Sequence, residues 1–309
     1  MKSVVPDVVV IGTILKETIY FSDGRIVGPV LGSPAAYSGI VMAAQGVSVG
    51  ILSYYGNDFP EAINDLSALN LDNMISHTQT TTNDLLYLED GSKRIRYISR
   101  SPMLEYELLN DHYLKSSYFY ICPMDYEVDL DLIERLYHEQ KTVFVDMGGF
   151  GGATSDVRHS IETDYGKRVF QTIAQNCTIL KASNEDLASI APNHTTEEAA
   201  QFMTDFGARK VVVTCGKEGA FYKQGENDPV YFPPFLAVSE EDHGQLDFTG
   251  AGDSFGAGFM VSYTRFGDIG RAITHGNATA SLVIQKSGGS TLARMPNIER
   301  VMRRIESGV

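Results

Sequence analysis

The stretch DFTGAGDSFGAGF, residues 247–259, is the most informative part of the sequence. Gly250-Ala251-Gly252 lies near its start, and apolar residues then recur four apart at Phe255, Phe259 and Tyr263, which is helical spacing. The pattern predicts a glycine-rich turn that leads directly into a buried helix. Such a turn presents backbone N–H groups at the positive end of the helix dipole, which is a site for an anion. Asp253 would lie in the first helical turn, beside that anion.

An Asp at this position also has an ordinary explanation, because it satisfies free N–H groups at a helix start. The match is longer than that, however. D-x-T-G-A-G-D-[SA]-F followed by an apolar helix resembles the C-terminal motif of the ribokinase-like (PfkB) carbohydrate kinases. In that family the Gly-Ala-Gly amides form an anion hole over the transferred phosphoryl group, and the Asp takes the proton of the attacking hydroxyl. The resemblance implies the first role for Gly250, Ala251 and Gly252, and the second for Asp253.

Composition limits the class of protein. The 309 residues are 43% apolar and 21% charged, which is ordinary for a globular protein, and the net charge of −14 argues against nucleic-acid binding. The cysteines, Cys122, Cys177 and Cys215, are scattered and suggest neither a zinc site nor a disulfide framework. No signal peptide or membrane span is predicted. We therefore expect a cytoplasmic enzyme without a membrane or nucleic-acid partner.

Short apolar segments alternate with helical ones along most of the chain. This alternation predicts a three-layer α/β/α fold, in which helices cover a mostly parallel sheet. Without a visible linker or repeat, residues 1–309 are interpreted as a single domain. The early predicted elements are a strand at Val8–Gly12, a helix at Ser33–Ala44, a strand at Val47–Ser53 and an amphipathic helix at Asp58–Leu69.

Two predicted β-hairpins, at about residues 18–31 and 84–100, interrupt this alternation. Each contains an Asp-Gly pair, Asp23-Gly24 or Asp90-Gly91, which favours a type I′ turn. Together they predict a small separate sheet. In a ribokinase-like enzyme this sheet would be the lid over the sugar site, and an apolar outer face could pair two subunits in a homodimer. Surface hairpins without a function are the alternative.

The resemblance also assigns residues to nucleotide and metal. Lys181 to Asp186, KASNED, lies where the family carries an Asn-x-x-Glu motif that organises Mg²⁺ and phosphates. The register fits Ser183 and Asp186, whereas a register beginning at Asn184 would put Leu187 at the acidic position. Asp186 supplies the oxygen ligand that Mg²⁺ requires. A helix start capped by Ser is the ordinary explanation.

Two further segments resemble the nucleotide site. Thr214-x-Gly216-x-x-Gly219 is similar to the family's loop around the phosphates and ribose, although glycine after a strand is also routine turn chemistry. Asn277 lies in a small-residue segment that fits the wall of the adenine pocket. The resemblance thus implies ATP as the phosphoryl donor.

The resemblance also implies a site for a monovalent cation such as K⁺. Asp247 and Thr249 match residues near which many relatives bind such an ion. Gly288-Gly289 could supply carbonyl oxygens to it. These residues are therefore a candidate K⁺ site.

The substrate side departs from the family pattern. Glu17 stands where relatives usually carry Asp after the first strand, and Gly32 and Ser33 begin a short form of a Gly-Gly…Asn motif. Its Asn is replaced by Ala36 or Tyr37, depending on register. Both changes fall at sugar-hydroxyl contacts, and they favour a cyclitol or unusual sugar over ribose.

The sequence therefore predicts a kinase that transfers phosphate from ATP, with Mg²⁺, to a hydroxyl of a small polyol, a sugar or a cyclitol such as inositol. The ATP half, residues 181–258, is similar to inositol kinases of the family. A nucleoside kinase of the same fold is the first alternative. A non-catalytic sugar-binding sensor is the second, and retention of Asp253 argues against it. The sequence lacks the GxGxxG fingerprint of a dinucleotide-dependent dehydrogenase, which argues against that class of enzyme.

Overall fold

The computed structural model describes residues 4–59, 61–89, 93–240 and 246–308. Within them, the elements in chain order are β1 (Val8–Ile11), β2 (Leu15–Tyr20), β3 (Ile26–Gly32), α1 (Pro34–Ala44), β4 (Val49–Gly56), α2 (Glu61–Asp65), β5 (Met74–His77), β6 (Thr81–Tyr87), β7 (Lys93–Ser99), β8 (Tyr118–Ile121), α3 (Leu130–His138), β9 (Thr142–Asp146), α4 (Asp164–Gln175), β10 (Ile179–Ser183), α5 (Asn184–Ile190), α6 (Thr196–Asp205), β11 (Val211–Thr214), β12 (Ala220–Lys223), β13 (Val230–Phe232), α7 (Ala251–Phe266), α8 (Ile269–Val283) and α9 (Ile298–Ser307). No helix among these residues is both long and apolar enough to span a membrane.

A nine-stranded sheet in the order β13-β12-β11-β10-β9-β8-β1-β4-β5 forms the centre. Its strands pair in parallel except at β12 and β13, which are antiparallel to their neighbours. Alternate residues of β1 enter two different cores: Val9 and Ile11 pack with α3 and α4, and Val8 and Val10 with α1 and α7. The predicted α/β/α architecture is confirmed, because period-two alternation sends each strand's side chains to both helical layers.

A second sheet, in the order β3-β2-β6-β7, stands apart from the first. The pairs β2–β3 and β6–β7 are antiparallel hairpins, and β2 and β6 join them in parallel. The predicted small sheet is therefore present, with strands that begin slightly earlier than predicted, at Leu15 and Thr81. We call it the small sheet.

The predicted type I′ turn at Asp23-Gly24 is wrong. The Gly24 N–H donates to the Phe21 carbonyl at 3.0 Å, so Ser22 and Asp23 are the central turn residues. Gly24 alone takes a left-handed backbone, with φ of 89°, whereas a type I′ turn needs two such residues. The second pair, Asp90-Gly91, lies outside the described residues.

The predicted helix at Asp58–Leu69 is also wrong, since among the described residues of this range only Glu61–Asp65 are helical. The residues on both sides of this short helix form hydrogen bonds with other segments of the chain instead. The Asp58 carboxylate accepts the Thr80 N–H at 2.8 Å, and the Asn70 N–H donates to Val49 O of β4 at 2.8 Å. Strand β5, which follows and pairs with β4, was not predicted.

Candidate active site

The glycine-rich turn lies where the sequence predicts it, at the start of α7. Gly250 is the N-cap and has a left-handed backbone with φ of 77°. A Cβ there would lie 2.4 Å from the Tyr37 ring, so only glycine fits. The Ala251 N–H donates to Phe248 O at 3.1 Å, which removes one of the three predicted amides. In the described part of the chain, the N–H groups of Gly250 and Gly252 have no acceptor, so they are available to an anion.

Strand β10 brings Lys181 to this turn. Its Nζ lies 3.3 Å from where a Cβ of Gly252 would be, and it donates to Asp146 Oδ2 at 2.8 Å. Both side chains are buried. Asp146 ends the neighbouring strand β9, where it also accepts the Tyr120 hydroxyl at 3.2 Å and the Gly148 N–H at 3.1 Å. Asp146 was not predicted as a site residue, although an Asp that ends an apolar strand before a glycine run is a usable signal.

The Lys181 ammonium is a built-in positive charge. Burial by itself lowers the pKa of Lys181, but the carboxylates of Asp146, Asp186 and Asp253 outweigh burial and raise it above the ordinary value. The side chain is therefore cationic at neutral pH. A fixed cation beside two available amides suits a multiply charged phosphate.

Ser183 and Asp186 form a capping box at the start of α5. The Ser183 Oγ accepts the Asp186 N–H at 3.0 Å, and Asp186 Oδ2 accepts the Ser183 N–H at 2.7 Å. Asp186 Oδ1 accepts the Ala153 N–H at 2.8 Å, while Leu187 is buried in the core. The paired positions are thus Ser183 and Asp186, and the ordinary capping explanation holds for their contacts.

The side chains around Lys181 could hold Mg²⁺ only together with water and the phosphates of a bound nucleotide. The described residues contain no group of three or more metal-ligating side chains. Asp146 and Asp186 nonetheless place carboxylate oxygens near Gly148, 3.5 Å and 3.8 Å from where its Cβ would be, and each carboxylate has lone pairs beyond its present hydrogen bonds. Mg²⁺ in phosphoryl-transfer sites is held by one or two carboxylates, water and the phosphates themselves, and this arrangement matches that pattern.

The predicted nucleotide residues come together beside β10. Thr214 ends β11 directly opposite Ser183 in the parallel pair. The following loop contains Gly216 and Gly219, and a Cβ on Gly219 would lie 2.2 Å from the carbonyl oxygen of Phe232. The next carbonyl, of Pro233, accepts the Asn277 side-chain amide at 2.9 Å. Loop, strand end and α8 therefore form one continuous wall, in which the Asn277 amide is bonded to backbone.

The predicted substrate residues lie in β2, at the end of β3 and at the N-cap of α1. Glu17 is inside β2 of the small sheet, rather than at the end of β1 as predicted. It is buried, and its Oε1 accepts the Asn83 side-chain amide at 3.1 Å. A Cβ on Gly32 would lie 2.9 Å from Glu17 Oε2, so glycine there makes room for the carboxylate. The Ser33 Oγ caps α1 by accepting the Ala36 N–H at 3.1 Å.

A cavity of about 150 Å³ lies under the small sheet, at the carboxyl ends of β1 and β8. Thr13, Tyr97, Met124 and Glu127 are among its lining residues. The Glu127 carboxylate accepts the N–H groups of Thr13 at 3.1 Å and Met124 at 2.9 Å, so it fixes both strand-end loops. These residues were missed, because nothing in their local sequence distinguishes them.

The small sheet also touches the turn. The hydroxyls of Tyr87, from β6, and Thr249 are 2.7 Å apart. The Tyr87 ring stacks on Phe21, with ring centres 5.3 Å apart and planes 3° from parallel. The small sheet therefore borders both features: Thr81 and Tyr97 line the cavity, and Tyr87 contacts the glycine-rich turn.

This geometry agrees with comparisons to known proteins. A family model described as "pfkB family carbohydrate kinase" matches residues 35–296. The chain belongs to this family. A cytidine kinase of Thermococcus kodakarensis is 28% identical over 292 residues, which cover 91% of this chain and 97% of the relative.

Solved structures show the same fold. An Arabidopsis thaliana ribokinase complexed with ribose and ATP is similar with a TM-score of 0.74 at 17% identity, covering 97% of this chain and 99% of that one. A pyrophosphate-dependent myo-inositol-1 kinase converted into a myo-inositol-3 kinase gives 0.75 at 16% identity, with coverages of 96% and 98%. The PfkB kinase has the ribokinase-like fold, as the sequence motif predicted.

Proposed function

We propose that this PfkB kinase transfers the γ-phosphoryl group of ATP to a hydroxyl of a small polyol, a sugar or a cyclitol such as inositol. The observation that carries the proposal is the position of Asp253. It follows Gly252 in the first turn of α7, next to the buried Lys181 ammonium. Thr249, at the start of the same turn, contacts Tyr87 of the small sheet.

The reaction follows from these positions. Asp253 accepts the proton of the substrate hydroxyl as its oxygen bonds to the γ-phosphorus, and the bond from that phosphorus to the bridging oxygen of ADP breaks. The amides of Gly250 and Gly252 and the Lys181 ammonium stabilise the charge on the phosphoryl oxygens. Bound Mg²⁺ would neutralise the nucleotide phosphates, with Asp186 and Asp146 as the oxygen donors nearest to it or to its waters.

ATP would lie along the wall formed by Ser183, Thr214, Gly216, Gly219 and Asn277. Strand-end backbone and the capped start of α5 would face its phosphates, and the Asn277 segment its base. This direction puts the γ-phosphate at Lys181 and the glycine-rich turn. It also keeps the nucleotide on the side of the turn away from the small sheet.

Hydroxyl recognition is proposed for the buried carboxylate side. Glu17, fixed by Asn83 and packed against Gly32, and Glu127, which lines the cavity, can each accept hydroxyl hydrogen bonds. Ser33 supports this corner through its cap on α1. Mismatched hydroxyls would leave buried carboxylates unpaired, which gives strong discrimination between polyols.

A nucleoside kinase is the second candidate. The likeness to a cytidine kinase over most of both chains favours it. The cavity wall adds Tyr97, Met103 and Met124, which could contact a base. A non-catalytic sensor would have no use for a base at Asp253 beside a buried cation.

Measured kcat/KM values with ATP decide between the candidates. We expect myo-inositol or a hexose to exceed ribose, adenosine and cytidine. If kcat/KM for a nucleoside exceeds that for every polyol by tenfold or more, the protein is a nucleoside kinase instead. Failure of every substrate, with ATP and sugar still binding, would favour the sensor.

The remaining proposals concern the whole protein. We infer that residues 1–309 act as one domain with the small sheet as a lid, in the cytoplasm. A homodimer through the small sheet would use Ile26 and Ile98, which are 63% and 62% exposed. Their neighbours Arg94 and Arg96 are also exposed, so this face is less apolar than predicted. Sedimentation of Ile98→Lys against the unchanged protein tests the dimer.

A further inference from the structure

Arg294 occupies the centre of the candidate K⁺ site. It lies between α8 and α9, and its side chain is 5% exposed. The groups proposed as K⁺ ligands, at Asp247, Thr249 and Gly288-Gly289, all lie around its guanidinium. A buried arginine with this surrounding was not predicted from the sequence.

The guanidinium is fully bonded. Its Nε–H donates to Lys286 O at 2.9 Å. Its Nη1 donates to the Tyr37 hydroxyl at 2.9 Å, to Gly288 O and to Gly289 O at 3.5 Å. Its Nη2 donates to Thr249 O at 3.3 Å and to Val283 O at 3.4 Å. The Asp247 carboxylate adds an ion pair at 3.8 Å. Every N–H of the planar cation therefore has an acceptor.

The residues present do not fit K⁺. A monovalent ion would need the same carbonyl and carboxylate oxygens, and it would stand beside a buried guanidinium of the same sign. We propose that the Arg294 guanidinium takes the place of a monovalent cation in this chain, so that the enzyme has its full activity without K⁺. The activity part of this inference rests on the proposed kinase function, whereas the ion-binding part does not.

Arg294 also acts on the catalytic turn without touching substrate. It holds Thr249 O, immediately before Gly250, and the Tyr37 hydroxyl, which itself donates to Gly288 O at 3.0 Å. The Tyr37 ring is the surface on which Gly250 packs. Arg294 is therefore a positioning residue that fixes both sides of the Gly250 turn.

The unchanged enzyme gives the first test. Thermal midpoints and kcat are compared in potassium chloride and in tetramethylammonium chloride, whose cation is too bulky for the site, at an ionic strength of about 0.1 M. We expect the same midpoint and kcat values that agree within about twofold. A midpoint raised specifically by K⁺, or a kcat raised tenfold by it, would overturn the proposal. The midpoint needs no substrate, so an error in the proposed substrate leaves this arm intact.

The second test removes the cation. Arg294→Ala opens a space lined by oxygen atoms, and we expect kcat to fall more than tenfold with a smaller change in KM. K⁺ or guanidinium ion should then raise both kcat and the thermal midpoint of this variant. Arg303→Ala, on the exposed face of α9, is the matched control and should respond to neither ion.

Two outcomes of the second test contradict the positioning role. One is a folded Arg294→Ala variant with unchanged kcat. The other is a variant whose loss of kcat neither ion reverses. If Arg294→Ala does not fold, Arg294→Lys, which keeps the charge, should fold and remain independent of K⁺. A K⁺ requirement in Arg294→Lys would also contradict the proposal.

Discussion

At the scale of single residues, Asp253 carries the proposed chemistry. Asp253→Asn keeps the size and capping capacity of the side chain but cannot accept the substrate proton. We expect kcat to fall by roughly 10²–10⁴, with little change in thermal stability or in ATP affinity. Turnover close to that of the unchanged enzyme would show that Asp253 is not the base.

Variants of the Lys181–Asp146 ion pair can distinguish a role in phosphate binding from a role in stability. Lys181→Met leaves a buried carboxylate without its cation, and we expect a loss of about 3–5 kcal/mol in the free energy of unfolding. Adding Asp146→Asn should restore much of that stability but not ATP affinity or kcat. Denaturant unfolding and nucleotide titration of both variants measure the two effects. Recovery of activity together with stability would make Lys181 purely structural.

What could be predicted at this scale depended on sequence distance. Asp253 and Gly250 belong to one short motif, so the sequence predicted them. The partners of the other site residues are remote: Asp146 is 35 positions from Lys181, and Asn83 is 66 from Glu17. Arg294 is 257 positions from Tyr37. Which remote residues become partners depends on the fold, and local motifs in a single sequence do not reveal these pairs.

At the scale of elements, the small sheet should respond to substrate. Its Tyr87 contacts Thr249 of the glycine-rich turn, and its Thr81 and Tyr97 line the cavity, so filling the cavity should order the sheet's backbone. We expect amide hydrogen exchange in β2, β3, β6 and β7 to slow when the best polyol binds, while exchange in α3 stays constant. Equal exchange with and without substrate would make the small sheet peripheral to catalysis.

Helix α8 contains a group that should make stability depend on pH. Burial lowers the pKa of His275 from 6.5 to about 4, and its Nε2 lies 2.7 Å from Gln45 Oε1. The unfolded chain binds the proton more tightly, so this stabilisation is complete above the unfolded pKa and is lost as the pH falls from 6.5 towards 4. The slope in that window is about 1.4 kcal/mol per pH unit.

Urea unfolding of His275→Gln measures this contribution. Between about pH 6.5 and pH 5 the unchanged protein should lose about 2 kcal/mol more than the variant, beyond the loss that the shared carboxylates cause. Parallel pH profiles for the two proteins would show that His275 does not titrate as its burial implies.

Elements with strong apolar periodicity were the ones that the sequence predicted well. Helix α7, predicted to follow the glycine-rich turn directly, begins at Ala251, and β1 matches to within one residue. The predicted helix at Asp58–Leu69 failed because Asp58 and Asn70 bond to neighbouring segments instead. Local periodicity decides an element only where tertiary contacts do not compete with it.

At the scale of the molecule, strand and helix alternation was enough to predict the parallel sheet, since each βα unit brings its strand end to the same edge. The proposed nucleotide residues and the glycine-rich turn belong to short sequence motifs, so the sequence alone could name them as candidates. The proposed substrate residues are Glu17 of the small sheet, which Asn83 holds, and Glu127 of the loop between β8 and α3. How the small sheet faces the main sheet depends on contacts between residues remote in the chain, so sequence motifs alone did not predict this juxtaposition.

We propose that Asp253 and the glycine-rich turn together catalyse phosphorylation of a polyol hydroxyl. The most direct measurement is a competition, in which limiting ATP is given to the enzyme with equimolar myo-inositol, hexoses, ribose, adenosine and cytidine, and products are identified by mass spectrometry. We predict that the phosphate appears mainly on the cyclitol or a hexose, and that Asp253→Asn forms almost none of this product. Phosphate found mainly on a nucleoside or ribose, or formed equally by Asp253→Asn, would contradict the account.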